Sequence, residues 1–143
     1  MTTTVERTYE VDAALEEVWE FIADPRLRAE AISVVNEFHT DGEEMIWKLA
    51  LPVPGLPGTV SVRTRDVERD PPRHVRFIGQ SRIMEVEGEH TLSAIDDGCR
   101  IYNRFDVTGR LPGVERFFKK NVDDEIDNLV TMVTARIAKT RDA

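Results

Sequence analysis

The chain has 143 residues, 41 % of them hydrophobic, and a formal net charge of −8 at pH 7. This length fits one domain with a single core, and the acidic balance argues against nucleic acid or an anionic membrane as the partner. The sequence contains no apolar run long enough for a membrane span and no secretory signal, and its single cysteine cannot form an internal disulfide. We therefore expect a cytoplasmic protein. Whether the acidic, lysine-poor composition reflects a halophilic source is left open.

The first part of the chain predicts one strand followed by two short helices. Thr3–Val11 alternates apolar and polar residues, as a half-buried strand does. Asp12 is the predicted N-cap of the first helix. Asp24-Pro25 is predicted to end that helix, because a residue before proline avoids helical backbone angles. The second helix is predicted over Arg26–Ala31.

The middle of the chain, from Ser33 to Gly109, predicts six further strands. Val34–Thr40 and Met45–Leu51 form a predicted hairpin around Asp41-Gly42. The segment that follows is too rich in proline and glycine for a strand interior. The remaining strands are predicted over Thr59–Arg69, His74–Arg82, Glu85–Ile95 and Cys99–Val107.

The last segment, Pro112 to about Lys139, predicts one long amphipathic helix. Its apolar residues recur at steps of three and four, with charged residues between them. Such a stripe needs a partner surface along most of its length. We therefore predict an α+β fold for residues 1–143, a single domain in which a curved antiparallel sheet of about seven strands wraps on the C-terminal helix.

The last hairpin gives the only inward polar residues that the pattern identifies. If Asp97-Gly98 forms a two-residue loop, His90 pairs with Phe105 across the hairpin. With a period of two, His90 and Asn103 then lie on the inward face, as diagonal neighbours roughly 5 to 8 Å apart. The opposite face carries the charged residues and is predicted to face water.

This order of elements resembles the START-like SRPBCC superfamily, whose helix-grip fold occurs in birch-pollen-type allergens and polyketide cyclases. Val5–Pro25, the Asp70–Arg73 turn and the terminal amphipathic helix carry the resemblance, which covers essentially the whole chain. Within the superfamily, the sequence looks most like polyketide-cyclase/dehydrase-like proteins and the accessory G subunit of carbon-monoxide dehydrogenase. The superfamily shares a cavity rather than a chemistry, so the resemblance implies the fold more strongly than the function.

The resemblance implies a hydrophobic cavity between the long helix and the concave sheet. It also implies that the loop containing Pro54, Gly55, Leu56 and Pro57 lies at the mouth of that cavity, as a gate or as a rigid surface turn. Val60, Ile101 and Leu129 are further apolar candidates for its walls. The predicted ligand-binding residues are Trp47, Leu49, Val62, Thr64, Phe77, His90, Leu92, Asn103, Phe105, Phe118, Val122 and Ile126.

His90 is the one candidate for catalysis. An imidazole can act as a general base or orient a ligand, but an inward histidine is also found as a hydrogen-bonded core residue, with Asn103 as its partner. Ser81 is a weaker inward candidate, and Cys99 is predicted to be a small buried residue. The histidines lack metal-ligand spacing, and no phosphate-binding or dinucleotide motif is present, so we predict no metal and no cofactor.

The leading functional hypothesis is the binding of a small hydrophobic molecule that is lipid-like, aromatic or polyketide-like. A cyclase or dehydratase with His90 as acid or base is the first alternative. It is weaker because such chemistry usually needs an acid and a base, and the pattern offers no inward carboxylate. An accessory factor for a carbon-monoxide-dehydrogenase-like enzyme is the second alternative. The sequence specifies neither the ligand, nor whether a reaction occurs, nor whether the protein is a homodimer.

Overall fold

The computed structural model describes residues 2–32, 35–51, 58–111 and 113–141. The predicted α+β helix-grip architecture is confirmed, and element boundaries agree with the predicted ones to within two residues for every strand and for the long helix. In chain order the elements are β1 (Thr2–Val11), α1 (Leu15–Ile22), α2 (Pro25–Glu30), β2 (Val35–Asp41), β3 (Glu44–Leu49), β4 (Val60–Asp70), β5 (His74–Gln80), β6 (Met84–Ile95), β7 (Gly98–Gly109) and α3 (Val114–Arg141).

All seven strands form one antiparallel sheet in the order β1-β7-β6-β5-β4-β3-β2. Strands β2 to β7 follow one another as hairpins, and β1 returns to pair with β7 along its whole length. Irregular pairing interrupts β2 between Val35 and Glu37, and β4 between Asp66 and Glu68. Bulges of this kind bend a strand and increase its twist, so they help the sheet to curve.

The concave face of the sheet is covered by α1 at one end and by α3 along its length. In the first core cluster, Val18 and Ile22 of α1 and Val133 of α3 pack with Leu92 and Ile101 of the sheet. The second cluster lies at the other end and contains Trp47, Phe77 and Met84 with Val114, the first residue of α3. Among the described residues, no helix is long and apolar enough to cross a membrane.

The two short helices begin differently from the prediction. The N-cap of α1 is Ala14, not Asp12, and the Glu17 carboxylate accepts a hydrogen bond from the Ala14 N–H at 3.2 Å. Helix α1 ends at Ile22, just before Asp24-Pro25 as predicted, and Asp24 has extended backbone angles. The same Asp24 is the N-cap of α2, which starts at Pro25, one residue earlier than expected. The Asp24 carboxylate accepts a hydrogen bond from the Arg26 N–H at 2.9 Å, and proline suits the first turn because the N–H that it lacks would be unpaired there.

The register of the β6–β7 hairpin also differs from the prediction. The two-residue loop is Asp96-Asp97, with Ile95 opposite Gly98, and His90 pairs directly with Asn103. A type I′ or II′ turn at Asp97-Gly98 needs positive φ at Asp97, and of the described non-glycine residues none has one. Gly98 instead starts β7 beside β1, where a Cβ atom would lie 2.1 Å from the Val11 carbonyl oxygen. The shift is two residues, so the predicted inward face is kept.

The packing of α1 predicts a matched pair of stability changes. Ile22 is fully buried, so we expect Ile22→Ala to lower the free energy of unfolding by about 2–5 kcal/mol through lost burial and a residual cavity. The control is Glu20→Ala, an exposed position on the same helix, with an expected change within about 0.5 kcal/mol. Urea denaturation measures both values, and equal effects would show that α1 does not pack as described.

Candidate functional site

An apolar cavity of about 100 Å³ lies between the sheet and the first half of α3. Asn121 and Glu125 are the polar residues at its border, and Asn121 uses its amide nitrogen to donate a hydrogen bond to the Phe117 carbonyl at 2.8 Å. We call this space the inner cavity. Its apolar walls are Val5, Ile32, Trp47, Leu49, Phe77, Met84, Val86, Phe105, Val107, Phe117, Phe118 and Val122.

Four rings form a continuous row along the sheet, and three of them, Trp47, Phe77 and Phe105, border the inner cavity. The ring centroids of Trp47 and Phe77 are 5.8 Å apart, those of Phe77 and His90 are 6.3 Å apart, and those of His90 and Phe105 are 5.8 Å apart. Gly88 lies opposite both phenylalanines in the sheet. A Cβ atom at Gly88 would lie 2.2 Å from Cε1 of Phe77, so glycine is needed there for the Phe77 ring to lie across β6.

A second, smaller cavity of about 60 Å³ adjoins the inner cavity and shares part of its walls with it, including Trp47, Phe77 and Phe105. His90, Arg28 and Ile126 border the smaller cavity. Arg28 and His90 therefore add polar groups to the part of the interior that lies beneath α2.

His90 is buried and hydrogen-bonded to Asn103. Its Nδ1 lies 2.7 Å from Asn103 Oδ1, while Asn103 Nδ2 donates to the Arg7 carbonyl at 3.2 Å. The Asn103 oxygen is therefore the acceptor, so Nδ1 of His90 carries the hydrogen and Nε2 carries the lone pair. Burial and the positive charge of Arg28 lower the pKa of His90 to about 4, against the effect of the Asn103 bond. The ring is neutral at pH 7.

Arg28 and Asp66 form an inward ion pair that sequence reasoning missed. Arg28 is only 6 % exposed; it donates to Asp66 Oδ1 and, at 2.9 Å, to the Ile22 carbonyl oxygen. Its guanidinium carbon lies 5.4 Å from the centroid of the Phe77 ring. Burial lowers the pKa of Arg28, and the charge of Asp66 opposes that shift. An arginine nevertheless keeps its proton in a protein, so Arg28 stays charged.

The same arginine helps to cap α1. The last carbonyl groups of a helix lack intrahelical partners and carry partial negative charge. Arg28 donates to the carbonyl of Ile22, and Arg69 of β4 donates to that of Ala23 at 2.7 Å. Two cations thus satisfy the C-terminal end of α1 and connect the α1–α2 corner to the sheet.

The predicted site residues fall into three groups. Trp47, Leu49, Phe77, Phe105, Phe118 and Val122 border the inner cavity, and His90 and Ile126 border the smaller one. Val62, Leu92 and Asn103 are buried but border neither cavity, because Leu92 packs against α1 and Asn103 is engaged with His90. Thr64 is also buried and donates to the Met45 carbonyl at 2.9 Å. The predicted gate residues Pro54, Gly55, Leu56 and Pro57 lie outside the described residues.

The remaining candidates have structural roles or lie elsewhere. Ser81 Oγ accepts hydrogen bonds from the N–H groups of Ile83 and Met84 and so stabilises the turn before β6. Cys99 is buried at the start of β7, and burial raises the pKa of its thiol. Within the described ranges, no three His, Cys, Asp or Glu side chains are grouped as metal ligands.

For some residues of the site, the alternation of the strand sequence already indicated an inward position. Val86 and Val107 share the inward face with His90 and Asn103 by the period of two, and both border the inner cavity. Asp66 follows Val62 and Thr64 at the same period, so the alternation of β4 already turns it inward. Arg28 gave no such signal, because a six-residue helix with three charged residues shows no periodic pattern.

Comparison with protein families decides the classification of the chain. Residues 2–134 match the family model described as polyketide cyclase/dehydrase and lipid transport. The chain belongs to this family. Among curated protein sequences, none matches the chain.

Solved structures agree with this family at the level of the fold. A conserved protein from Geobacillus kaustophilus is 18 % identical with a TM-score of 0.74, covering 96 % of this chain and 97 % of its own. The Zhui aromatase/cyclase from a Streptomyces species is 17 % identical with a TM-score of 0.70, covering 97 % and 95 %. A START superfamily protein from Mycobacterium smegmatis is 15 % identical with a TM-score of 0.71, covering 96 % and 98 %. At these identities the likeness shows the fold alone.

The buried histidine predicts a specific pH dependence of stability in this family member. His90 has a folded-state pKa of about 4 against 6.5 when unfolded, so the unfolded state binds more protons between these values. The stability contribution is therefore complete above pH 6.5 and is lost as the pH falls from 6.5 towards 4. From pH 7 to pH 5 we expect His90 to account for a loss of about 2 kcal/mol in the free energy of unfolding.

Urea denaturation of the wild type and of His90→Asn at both pH values measures this loss. Contributions from all other groups are common to the two proteins, so the variant is expected to lose about 2 kcal/mol less than the wild type. Equal losses in the two proteins would show that burial does not keep His90 neutral.

Proposed function

We propose that the protein binds a small molecule by inserting an apolar group, such as one ring or the end of an acyl chain, into the inner cavity. The observation that carries the proposal is that apolar side chains of the sheet line the cavity on one side and apolar side chains of α3 line it on the other. Lipid transport appears in the description of the family, and an aromatase/cyclase has the same fold.

The volume of the cavity limits what it can accept. Pockets for drug-sized ligands enclose roughly 300–1,000 Å³, whereas the inner cavity encloses about 100 Å³. An apolar cavity of roughly 150 Å³ is enough to bind benzene. The inner cavity is smaller than this, so a single ring is the largest group that it can take, and a ring enters only with small shifts of the lining side chains. A polycyclic ligand requires Phe117 and Phe118, both half-buried on α3, to move further.

The apolar surface area of a single ring indicates how tightly such a group binds. A ring that removes about 150 Å² of apolar surface from water gains about 4 kcal/mol. This corresponds to millimolar affinity before any cost of ordering the ligand. Tight binding of a physiological ligand therefore needs polar contacts outside the inner cavity.

His90 is suited to orienting a ligand. Its Nε2 lone pair has no hydrogen-bond partner among the residues that the structure describes, and the ring borders the smaller cavity. A ligand hydroxyl or N–H that reached this cavity would donate to Nε2. Asn103 would hold the ring in the tautomer that accepts this bond.

Acid–base catalysis by His90 is the second candidate function. It gains support from Arg28, a fixed cation that borders the same small cavity and could stabilise an enolate oxygen. Against it, a general base works best with a pKa near the operating pH, and a pKa of about 4 makes His90 a weak base at pH 7. Binding therefore remains the leading proposal. The accessory-factor hypothesis depends on contacts with a partner and stays a prediction.

The binding proposal is tested with benzene as the probe. We expect benzene to shift the methyl resonances of Val5, Leu49 and Val107, which border the inner cavity, with a dissociation constant in the millimolar range. Val122→Phe adds a ring inside the cavity and is expected to weaken this binding at least tenfold. Lys120→Phe adds the same ring at an exposed position of α3 and is expected to change it by no more than about twofold.

The amide spectrum of each variant shows whether it is folded, since overpacking at position 122 costs about 1–3 kcal/mol. If benzene leaves the methyl resonances unchanged, or if folded Val122→Phe binds it as the wild type does, the inner cavity is not a binding site.

A further inference from the structure

A second concavity, the α2–β4 cleft, lies on the other side of Trp47 and Phe77 from the inner cavity. It encloses about 560 Å³ between the start of α2, the β2–β3 turn and the inward side of β4. This volume falls in the range of small-molecule sites. Trp47, Phe77 and Arg28 border both the cleft and the smaller interior cavity, so these three side chains form the partition between them.

Two polar atoms of the cleft residues are buried without a hydrogen-bond partner in the described part of the chain. They are the indole Nε1 of Trp47, a donor, and Oδ2 of Asp66, an acceptor. Trp47 is only 7 % exposed. Buried polar groups are nearly always paired in folded proteins, and an unpaired one calls for a specific explanation such as a bound water or ligand.

The neighbours of Asp66 do not satisfy Oδ2. Arg28 donates to the other carboxylate oxygen, Oδ1. Nη1 of Arg69 lies 3.9 Å from Oδ2, which is too long for a hydrogen bond. The Nη2 group of Arg69 is committed to the Ala23 carbonyl. Two residues that line the cleft therefore carry one unpaired donor and one unpaired acceptor. Both atoms are buried, so a ligand in the cleft reaches them only if these side chains turn towards it.

The charges of the cleft favour a neutral ligand. The cleft contains four arginines and four carboxylates, namely Arg26, Arg28, Arg65, Arg69, Asp24, Glu43, Glu44 and Asp66, so no net charge attracts an ion. An anion would also meet the Asp66 carboxylate at the unsatisfied acceptor. A hydroxyl group is neutral and can both accept from an indole N–H and donate to a carboxylate.

We propose that the α2–β4 cleft binds the hydroxyl-bearing end of a neutral aromatic molecule, with Trp47 Nε1 as donor, Asp66 Oδ2 as acceptor and the Trp47 and Phe77 rings against the apolar body. This inference goes beyond the proposed function, because the cleft and the inner cavity are separate spaces.

The test uses naphthol and naphthalene, which differ only in the hydroxyl group. The chain has two tryptophans, so its amide spectrum contains two indole N–H signals, which Trp47→Phe and Trp19→Phe assign. We expect naphthol, and not naphthalene, to move the Trp47 signal downfield, because the indole N–H gains an acceptor. The Trp19 signal is expected to stay, since Trp19 lies on α1, packs against the first core cluster and does not border the cleft.

The affinities give a second readout. We expect naphthol to bind about tenfold more tightly than naphthalene. Trp47→Phe removes the donor and is expected to reduce this preference about fivefold, whereas the matched variant Trp19→Phe keeps it. Val122→Phe blocks the inner cavity and leaves the cleft intact, so naphthol binding that survives in this variant supports the cleft even if the inner cavity fails its own test.

Three results would overturn the inference. In the first, naphthol binds but the Trp47 indole signal moves no more than it does with naphthalene. In the second, the anion naphthoate binds more tightly than naphthol, which would make the arginines an anion site. In the third, none of these compounds moves the Trp47 signal up to its solubility limit, which would mean that water alone satisfies the two buried atoms.

Discussion

The fold depends on one packing constraint, which is that a curved seven-stranded sheet must bury its concave face against a single long helix. Helix α1 covers part of that face, and Val18 and Ile22 pack there with Leu92 and the second half of α3. Beneath the first half of α3 the large rings of Trp47, Phe77 and Phe105 line the space instead, and an apolar cavity of about 100 Å³ remains. The position of α1 therefore decides which end of the interior is solid and which end contains the cavity.

The polar groups inside this frame are paired in ways that constrain their chemistry. His90 is held by Asn103 and kept neutral, which makes it a better hydrogen-bond acceptor than base. Arg28 binds both Asp66 and the end of α1. A buried ion pair is weak evidence of stabilisation, because replacing both partners by apolar residues often costs little stability. Removing only one partner costs more, because it leaves a buried charge unpaired. The clearer consequence of the pair here is positional, because it holds α2 over the partition between the smaller cavity and the α2–β4 cleft.

Much of this arrangement could be predicted from the sequence, because alternation with a period of two marks the strands and apolar steps of three and four mark the long helix. The period of two also places Val86, His90, Asn103 and Val107 on one face of the sheet. The hairpin register could not, since Asp97-Gly98 resembles a turn while Gly98 is required by the close approach of Val11 in β1. Leu92 satisfied the pattern for a cavity wall, yet the packing of α1, a tertiary contact, excludes it. The role of Arg28 could not be predicted either, because only the tertiary fold shows what a charged residue of a short helix contacts.

The central claim is that an empty apolar space lies between the sheet and the first half of α3. A crystal pressurised with xenon tests this most directly, because xenon enters dry apolar cavities and scatters strongly. The account predicts a xenon atom among Trp47, Phe105 and Val122, and its loss in Val122→Phe. A wild-type crystal in which side chains fill this region and xenon binds elsewhere, or not at all, would contradict it.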